Sequence, residues 1–209
     1  KFGKGRKIRR VFRAGKTIVL ELQGSGRIKN PLWLTVHLGM TGRLIWLDRA
    51  QKKSSRHLRA LLLLDIGALA FYDPRRFGRL RLCSTLEEVR PVGLDPLSPK
   101  FVLSQLVSLL GESRQAIKVW LMRQDRLVVI GNIYAAEILY QARLNPWRTA
   151  ASLTLAESTR LYEAIKRILP WAIQQGGTTI SDYQDTRGQA GSFQKCLAVY
   201  GRDGDPCPS

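Results

Sequence analysis

Cysteine is scarce in this chain: Cys83, Cys196 and Cys207 are scattered over 209 positions, too few and too far apart for a disulfide framework. They read as reduced thiols, with Cys207 set apart below. Long apolar runs are missing as well. No stretch approaches the roughly 20 residues of a membrane span, and the first residues, KFGKGRKIRRVFRAGK, lack the apolar centre of a signal peptide. The expectation is a cytoplasmic protein with no membrane partner. Acidic residues are in short supply, 16 against 34 Lys and Arg, for a formal charge of +18. Such an excess speaks about partners rather than fold. A polyanion is expected, and nucleic acid comes before anionic lipid because the cations are spread among folded-looking segments instead of gathered on one amphipathic helix or tail. On charge alone, a structural ribosome-associated role stays open.

What is present is a chain of two characters, with 44% hydrophobic content to build a core. Up to about residue 95 it reads as short strands: TIVLEL (17 to 22), LWLTVHL (32 to 38), RLIWL (43 to 47), LRALLLLD (58 to 65), ALAFYD (68 to 73) and GRLRLC (78 to 83). Turn residues separate them, which predicts an antiparallel sandwich or barrel. From about residue 98 the period becomes helical. Ser98-Pro99 reads as a helix start followed by Phe101, Leu103, Leu106, Leu109 and Leu110. A second helix carries Ile117, Trp120 and Leu121, a third opens at Asn132 as N-cap, and a fourth begins at Thr154 with Glu157 completing a capping box. Pro170 should kink or interrupt that fourth helix. The proline-rich RPVGLDPLSPK (90 to 100) reads as a linker between a β half and an α half. The tail from Gly176, rich in glycine and short polar residues, suits a mobile, ligand-facing loop.

Three stretches carry chemistry. In DPRRFGRL (73 to 80), two adjacent arginines stand beside a phenylalanine in a tight turn, and HLGMTGRL (37 to 44) sets Met40 between two glycines. Alone, either is an ordinary hairpin corner. Together they hold what a duplex-opening protein needs, apolar wedges for the base stack and a guanidinium for the base left behind. The third stretch, AIKVWLMRQDRLVVIGNIYAAEIL (116 to 139), contains a Gly-Asn turn entering a helix, which aims backbone amides and Asn132 outward at a phosphate. Lys118 and Arg114 could meet the same strand, although a lone Gly-Asn reads as an ordinary capped helix.

HLGMTGRL, DPRRFGRL, GLDPLS, IKVWLM, IGNIYAAEILYQARLNP, GGTTISDY and VYGRDGDPCPS occur in the order found in the formamidopyrimidine-DNA glycosylases, and the resemblance covers essentially the whole chain. It implies an α+β fold: an N-terminal antiparallel β-sandwich, a helix-two-turn-helix domain and a C-terminal zinc finger. The domains are then residues 1 to 90, a linker at 91 to 97, the helical domain with its lesion loop at 98 to 195, and the start of the finger at 196 to 209. Met40, Arg75 and Phe77 match the residues that fill the void opposite a flipped base, and Arg76 braces the site or grips phosphate. Lys16 matches the lysine beside the lesion phosphate that is assigned a role in β-elimination. His57 matches a position of DNA contact, or is structural. Asn132 matches the asparagine holding backbone phosphate and Lys118 a lysine near the lesion; Arg114 and Tyr134 are placed with them. The loop from Thr178 to Gly191, with Thr179, Ser181, Thr186, Arg187 and Gly188, resembles the lid over the extruded base.

The resemblance implies base-excision repair by a bifunctional glycosylase and apurinic/apyrimidinic lyase that acts on oxidised purines in duplex DNA, as a monomer at the bacterial nucleoid. In that chemistry an N-terminal proline amine, partly neutral near pH 7, attacks the sugar C1′ and forms a Schiff base. This sequence starts at Lys1, with neither that proline nor the acidic residue after it, and ends just past Cys207, the first ligand of a Cys-x-x-Cys pair. One cysteine cannot hold zinc. The chain is accordingly expected to be a fragment cut at both ends, able to bind DNA but inactive or severely impaired. Val129 stands where the family has glycine, and a β-branched residue there restricts the backbone beside Asn132. A non-catalytic module for damaged DNA remains the alternative.

Overall fold

The computed structural model describes residues 5–24, 30–48, 56–206 and 208. The chain divides into two units, one of residues 1–90 with 178–191, the other of 91–177 with 192–209.

The first unit holds two antiparallel sheets. Strands β1 (Ile8–Ala14), β2 (Thr17–Leu22), β3 (Leu32–His37) and β7 (Arg79–Cys83) form one in the order β1-β2-β3-β7; β4 (Arg43–Asp48), β5 (Leu58–Leu64) and β6 (Gly67–Tyr72) form the other in the order β4-β6-β5. Side chains two residues apart share a face. Leu20, Leu22 and Val36 of the first sheet therefore join Leu44 and Phe71 of the second in one buried cluster, with Leu34, Leu62, Leu69 and Leu80 around it. That shared core is a β-sandwich, as the strand pattern predicts. The opposite face of β2 is covered too: Val19 packs with Cys83 and Val89, beside Phe12 and Trp33. Strand β1 went unread in the sequence because Arg9, Arg10 and Arg13 obscure the alternation of Ile8, Phe12 and Ala14, whose side chains are half-buried on this edge strand.

The second unit is helical: α1 (Leu103–Gly111), α2 (Ile117–Leu121), α3 (Asn132–Gln141) and α4 (Leu155–Gln174). Leu106, Leu110, Trp120, Ile138, Leu161, Ile165 and Ile168 recur at helical spacing and bury one core. Helix α1 starts later than Ser98. Val102 occupies its cap position and Gln105 Oε1 accepts the Val102 N–H at 3.2 Å, while Phe101 lies before the helix with its ring 5.4 Å from that of Tyr162. Gly131, extended, is the cap of α3, and Asn132 is its first residue. At α4 the box of Thr154 and Glu157 forms as expected, and Glu157, hydrogen-bonded by Arg148 and by the Thr154 N–H, has its pKa lowered to about 2. Pro170 does not interrupt α4, which continues to Gln174. The buried face of Leu161, Ile165, Ile168, Leu169 and Ala172 outweighs the one backbone bond that proline forgoes.

A carboxylate closes this unit. Glu137 of α3 is buried and accepts the backbone N–H groups of Ala198, Val199 and Tyr200 at 2.8, 3.0 and 2.9 Å, which fastens the segment after Cys196 to the helix. No described helix is long and apolar enough to cross a membrane.

Candidate nucleic-acid interface

In the β unit, two turns are stitched into one. The β3–β4 turn closes through Gly42 N–H to Leu38 C=O at 2.9 Å. Thr41, buried, donates its hydroxyl to Asp73 Oδ1 at 2.6 Å, and Asp73 Oδ2 accepts the Gly78 N–H at 2.7 Å. Burial pushes the Asp73 carboxyl up, but hydrogen bonds from Thr41 and from the backbone N–H groups of Gly78, Arg76 and Arg75 outweigh it and hold its pKa below the ordinary value. Gly39 sits at φ +64°, and a Cβ there would lie 2.8 Å from the Phe77 carbonyl carbon. Glycine is required because the two turns touch backbone to backbone.

The double turn exposes the predicted wedge residues. Met40 is 69% exposed and Phe77 49%, large values for apolar side chains on so rigid a support. The Arg75 guanidinium lies 4.6 Å from the centre of the Phe77 ring, a cation–π stack. Arg76 is exposed and left-handed at φ 61°, so Arg75 and Phe77 leave the chain on either side of a strained corner. His57 is half-buried at the base of the turn, where its carbonyl accepts the Asp73 N–H at 3.0 Å. Arg59 adds a bond from Nε to the Asp73 carbonyl at 2.8 Å.

A second cluster lies where β2, β3 and β7 end together. Thr17 pairs with His37, and His37 with Arg79. Lys16 precedes Thr17. The residue is exposed as a whole, yet partial burial of its charged group lowers its pKa. Burial, then the charges of Lys16 and Arg79, lower that of His37. His37 Nδ1 accepts the Gly39 N–H at 3.1 Å. In that geometry the neutral ring carries its proton on Nε2, and the ring is tied to the turn bearing Met40. Lys16 and Arg79, brought together beside His37, form a site for an anion. His37 and Arg79 were missed in the sequence although HLGMTGRL opens on the histidine; only the strand register sets them beside Lys16.

The loop of residues 178–191 belongs with this unit rather than with the helical domain assigned from sequence. Trp46 N–H donates to Thr186 C=O at 2.8 Å and Arg43 to Gln184 Oε1 at 3.1 Å. Its composition suggested a mobile segment, but its polar side chains bond inward. Thr179 Oγ1 donates to Tyr183 C=O and accepts from Gly191 N–H, both at 2.9 Å, and Asp185 Oδ1 accepts the N–H groups of Arg187 and Gln189 at 2.8 Å. Thr178 and Gly188 are half-buried, whereas Ser181, Thr186 and Arg187 are exposed.

The helical unit carries the remaining candidates. The first N–H groups of α2 are satisfied by backbone, Ile117 to Arg148 C=O at 2.7 Å and Lys118 to Pro146 C=O at 3.2 Å. This fixes Lys118, half-buried, in α2; exposed Arg114 lies in the segment before that helix. Asn132 is exposed at the start of α3, where first-turn N–H groups have no intrahelical acceptor and favour an anion. Tyr134 is half-buried instead, its ring 5.9 Å from that of Phe193. Cys207 lies outside the described residues. Among those described, no three His, Cys, Asp or Glu side chains are grouped to hold a metal, so they do not fit zinc.

Residues 2–80 match the family described as the formamidopyrimidine-DNA glycosylase N-terminal domain, and residues 92–184 the formamidopyrimidine-DNA glycosylase H2TH domain. A β-sandwich followed by an H2TH unit defines a DNA glycosylase of base-excision repair. The chain belongs to the formamidopyrimidine-DNA glycosylase family: it is 40% identical to the enzyme of Thermus thermophilus over 98% of this chain and 75% of that relative, and 41% identical to that of Moorella thermoacetica over 98% and 74%. The crystal structure of the Thermus thermophilus MutM (Fpg) protein superposes with a TM-score of 0.86 at 40% identity, covering 98% of this chain and 75% of that one. The Lactococcus lactis Fpg in complex with DNA containing an abasic site superposes at 0.83, with 28% identity over 98% and 74%.

Proposed function

We propose that this protein is a bifunctional DNA glycosylase and AP lyase that removes oxidised purines, such as 8-oxoguanine and formamidopyrimidines, from duplex DNA, working as a monomer in the cytoplasm at the nucleoid. The observation that carries the reading is the stitched double turn with Met40 and Phe77 exposed and Arg75 stacked between solvent and ring. Extruding one nucleotide leaves a gap one base deep. A thioether and a benzyl ring fill it, and the guanidinium offers paired N–H donors to the orphaned base. Solved relatives bound to DNA with an abasic site or a Fapy-dG lesion support the same partner for this chain.

Lys16, His37 and Arg79 then meet the phosphate beside the lesion, Asn132, Lys118 and Arg114 grip further phosphates, and Arg76 braces the turn. The 178–191 loop is the lid over the extruded base. Affinity rests on phosphates and falls steeply with salt. Selectivity comes from extrusion, since a damaged base is cheaper to unstack.

Borohydride trapping on an abasic-site duplex tests the chemistry: a covalent adduct marks the Schiff base, and binding without adduct marks a non-catalytic module. For this protein the expected result is salt-sensitive binding that favours the abasic duplex. Equal binding to undamaged duplex would overturn that expectation.

A further inference from the structure

The turn that leads into Asn132 is held by Gln124. Its Nε2 donates to the carbonyls of Met122 and Ile130, each at 2.8 Å, and its Oε1 accepts the Val129 N–H at 3.1 Å. One amide thus spans the turn from residue 122 to residue 130. Inside that span Val129 is left-handed at φ 81°, where its Cβ crowds the backbone and where a β-branched residue does not settle unaided.

The rest of the turn has its own anchors. Leu127, Val128 and Ile130 are buried, Leu94 N–H donates to Arg126 C=O, and Val128 N–H donates to Leu94 C=O, both at 2.9 Å. Removing the Gln124 amide therefore releases residue 129 more than it unfolds the loop. Only Ile130 and Gly131 separate Val129 from Asn132, so a change of backbone at 129 re-aims the start of α3.

We propose that Gln124 is a positioning residue for DNA binding: its side chain holds Val129 in the left-handed conformation and so sets the direction in which Gly131 and Asn132 present themselves to a backbone phosphate. The inference rests on the reading of Asn132 given above.

The test is a set of titrations of a duplex containing a tetrahydrofuran abasic analogue, across a range of salt, with wild type, Gln124→Met, Val129→Gly, the double variant and Asn132→Ala. Gln124→Met keeps the volume and loses all three bonds. It is expected to weaken binding about tenfold and to lower the salt slope by about one phosphate contact. In the Val129→Gly background the same change should cost only about threefold, because glycine adopts positive φ without help. If Asn132→Ala weakens binding and Gln124→Met does not, the proposal is overturned while the phosphate reading stands. If neither does, the phosphate reading itself fails. An equal loss in both backgrounds overturns the link through Val129. Should Gln124→Met unfold, Val129→Gly alone decides: it should bind at least as tightly as wild type, and weaker binding refutes the idea.

Discussion

Replacing Asp73 by asparagine should loosen the double turn and cost the β unit about 2–4 kcal/mol. The carboxylate is 1% exposed and accepts the Thr41 hydroxyl at 2.6 Å and the Gly78 N–H at 2.7 Å. Bonds to a charged acceptor contribute about 1.5–3 kcal/mol each, against about 0.5–1.5 for neutral ones. Asparagine keeps the shape, lowers both bonds to the neutral kind and turns an N–H₂ towards a group that donates. Because the Asp73 pKa lies below its ordinary 3.8, its contribution is fully present above that value and is lost as pH falls through the lower folded one. Urea unfolding should therefore show a lower midpoint for Asp73→Asn near neutrality, and the two proteins should converge in acid. Thr41→Val, made alone and with Asp73→Asn, should show non-additivity, since one removes and the other weakens the same bond. A fluorescent base opposite an abasic site should respond less in either variant, because the turns of Met40 and Phe77 are no longer held together. An unfolding free energy within about 0.5 kcal/mol of wild type, or strict additivity of the pair, would refute the reasoning.

His37 has a folded pKa below 6.5, so the stability it lends is complete above that value and declines as pH drops through the folded value; His37→Gln should flatten the loss of β-unit stability as pH falls below 6.5. Glu137→Gln weakens three backbone bonds at once and should cost the helical unit about 2–4 kcal/mol, with amide exchange rising first at Ala198, Val199 and Tyr200. If exchange there is unchanged, the segment is fastened by something else. Pro170→Ala restores a helix-interior N–H and should raise the urea stability of the helical unit by about 1–3 kcal/mol; no gain would mean that α4 already relaxes around the ring.

Much of the fold was legible because periodicity is a local property. The alternation in β2 to β7 and the helical spacing of Leu161, Ile165 and Ile168 can be read without knowing any partner. Element starts were less so. Ser98 and Asn132 both look like caps, but Val102 and Gly131 hold those positions, since burial of Phe101 and the Gln124 clamp decide where the backbone turns. Edge strand β1 escaped for the same reason: its arginines mask a weak alternation that only pairing with β2 makes regular.

By itself, the order of residues determined the two-part architecture, the surplus of positive charge and the side-chain types for meeting DNA, because each follows from composition or from spacing along one element. Tertiary structure decided which of those side chains act together. Thr41 and Asp73 are 32 positions apart and share one hydrogen bond, and Lys16, His37 and Arg79 meet through strand register. Val129 is strained only in a fold that bends the chain there. Contacts between distant residues are set by how sheets and helices pack, and packing depends on the whole set of buried surfaces at once.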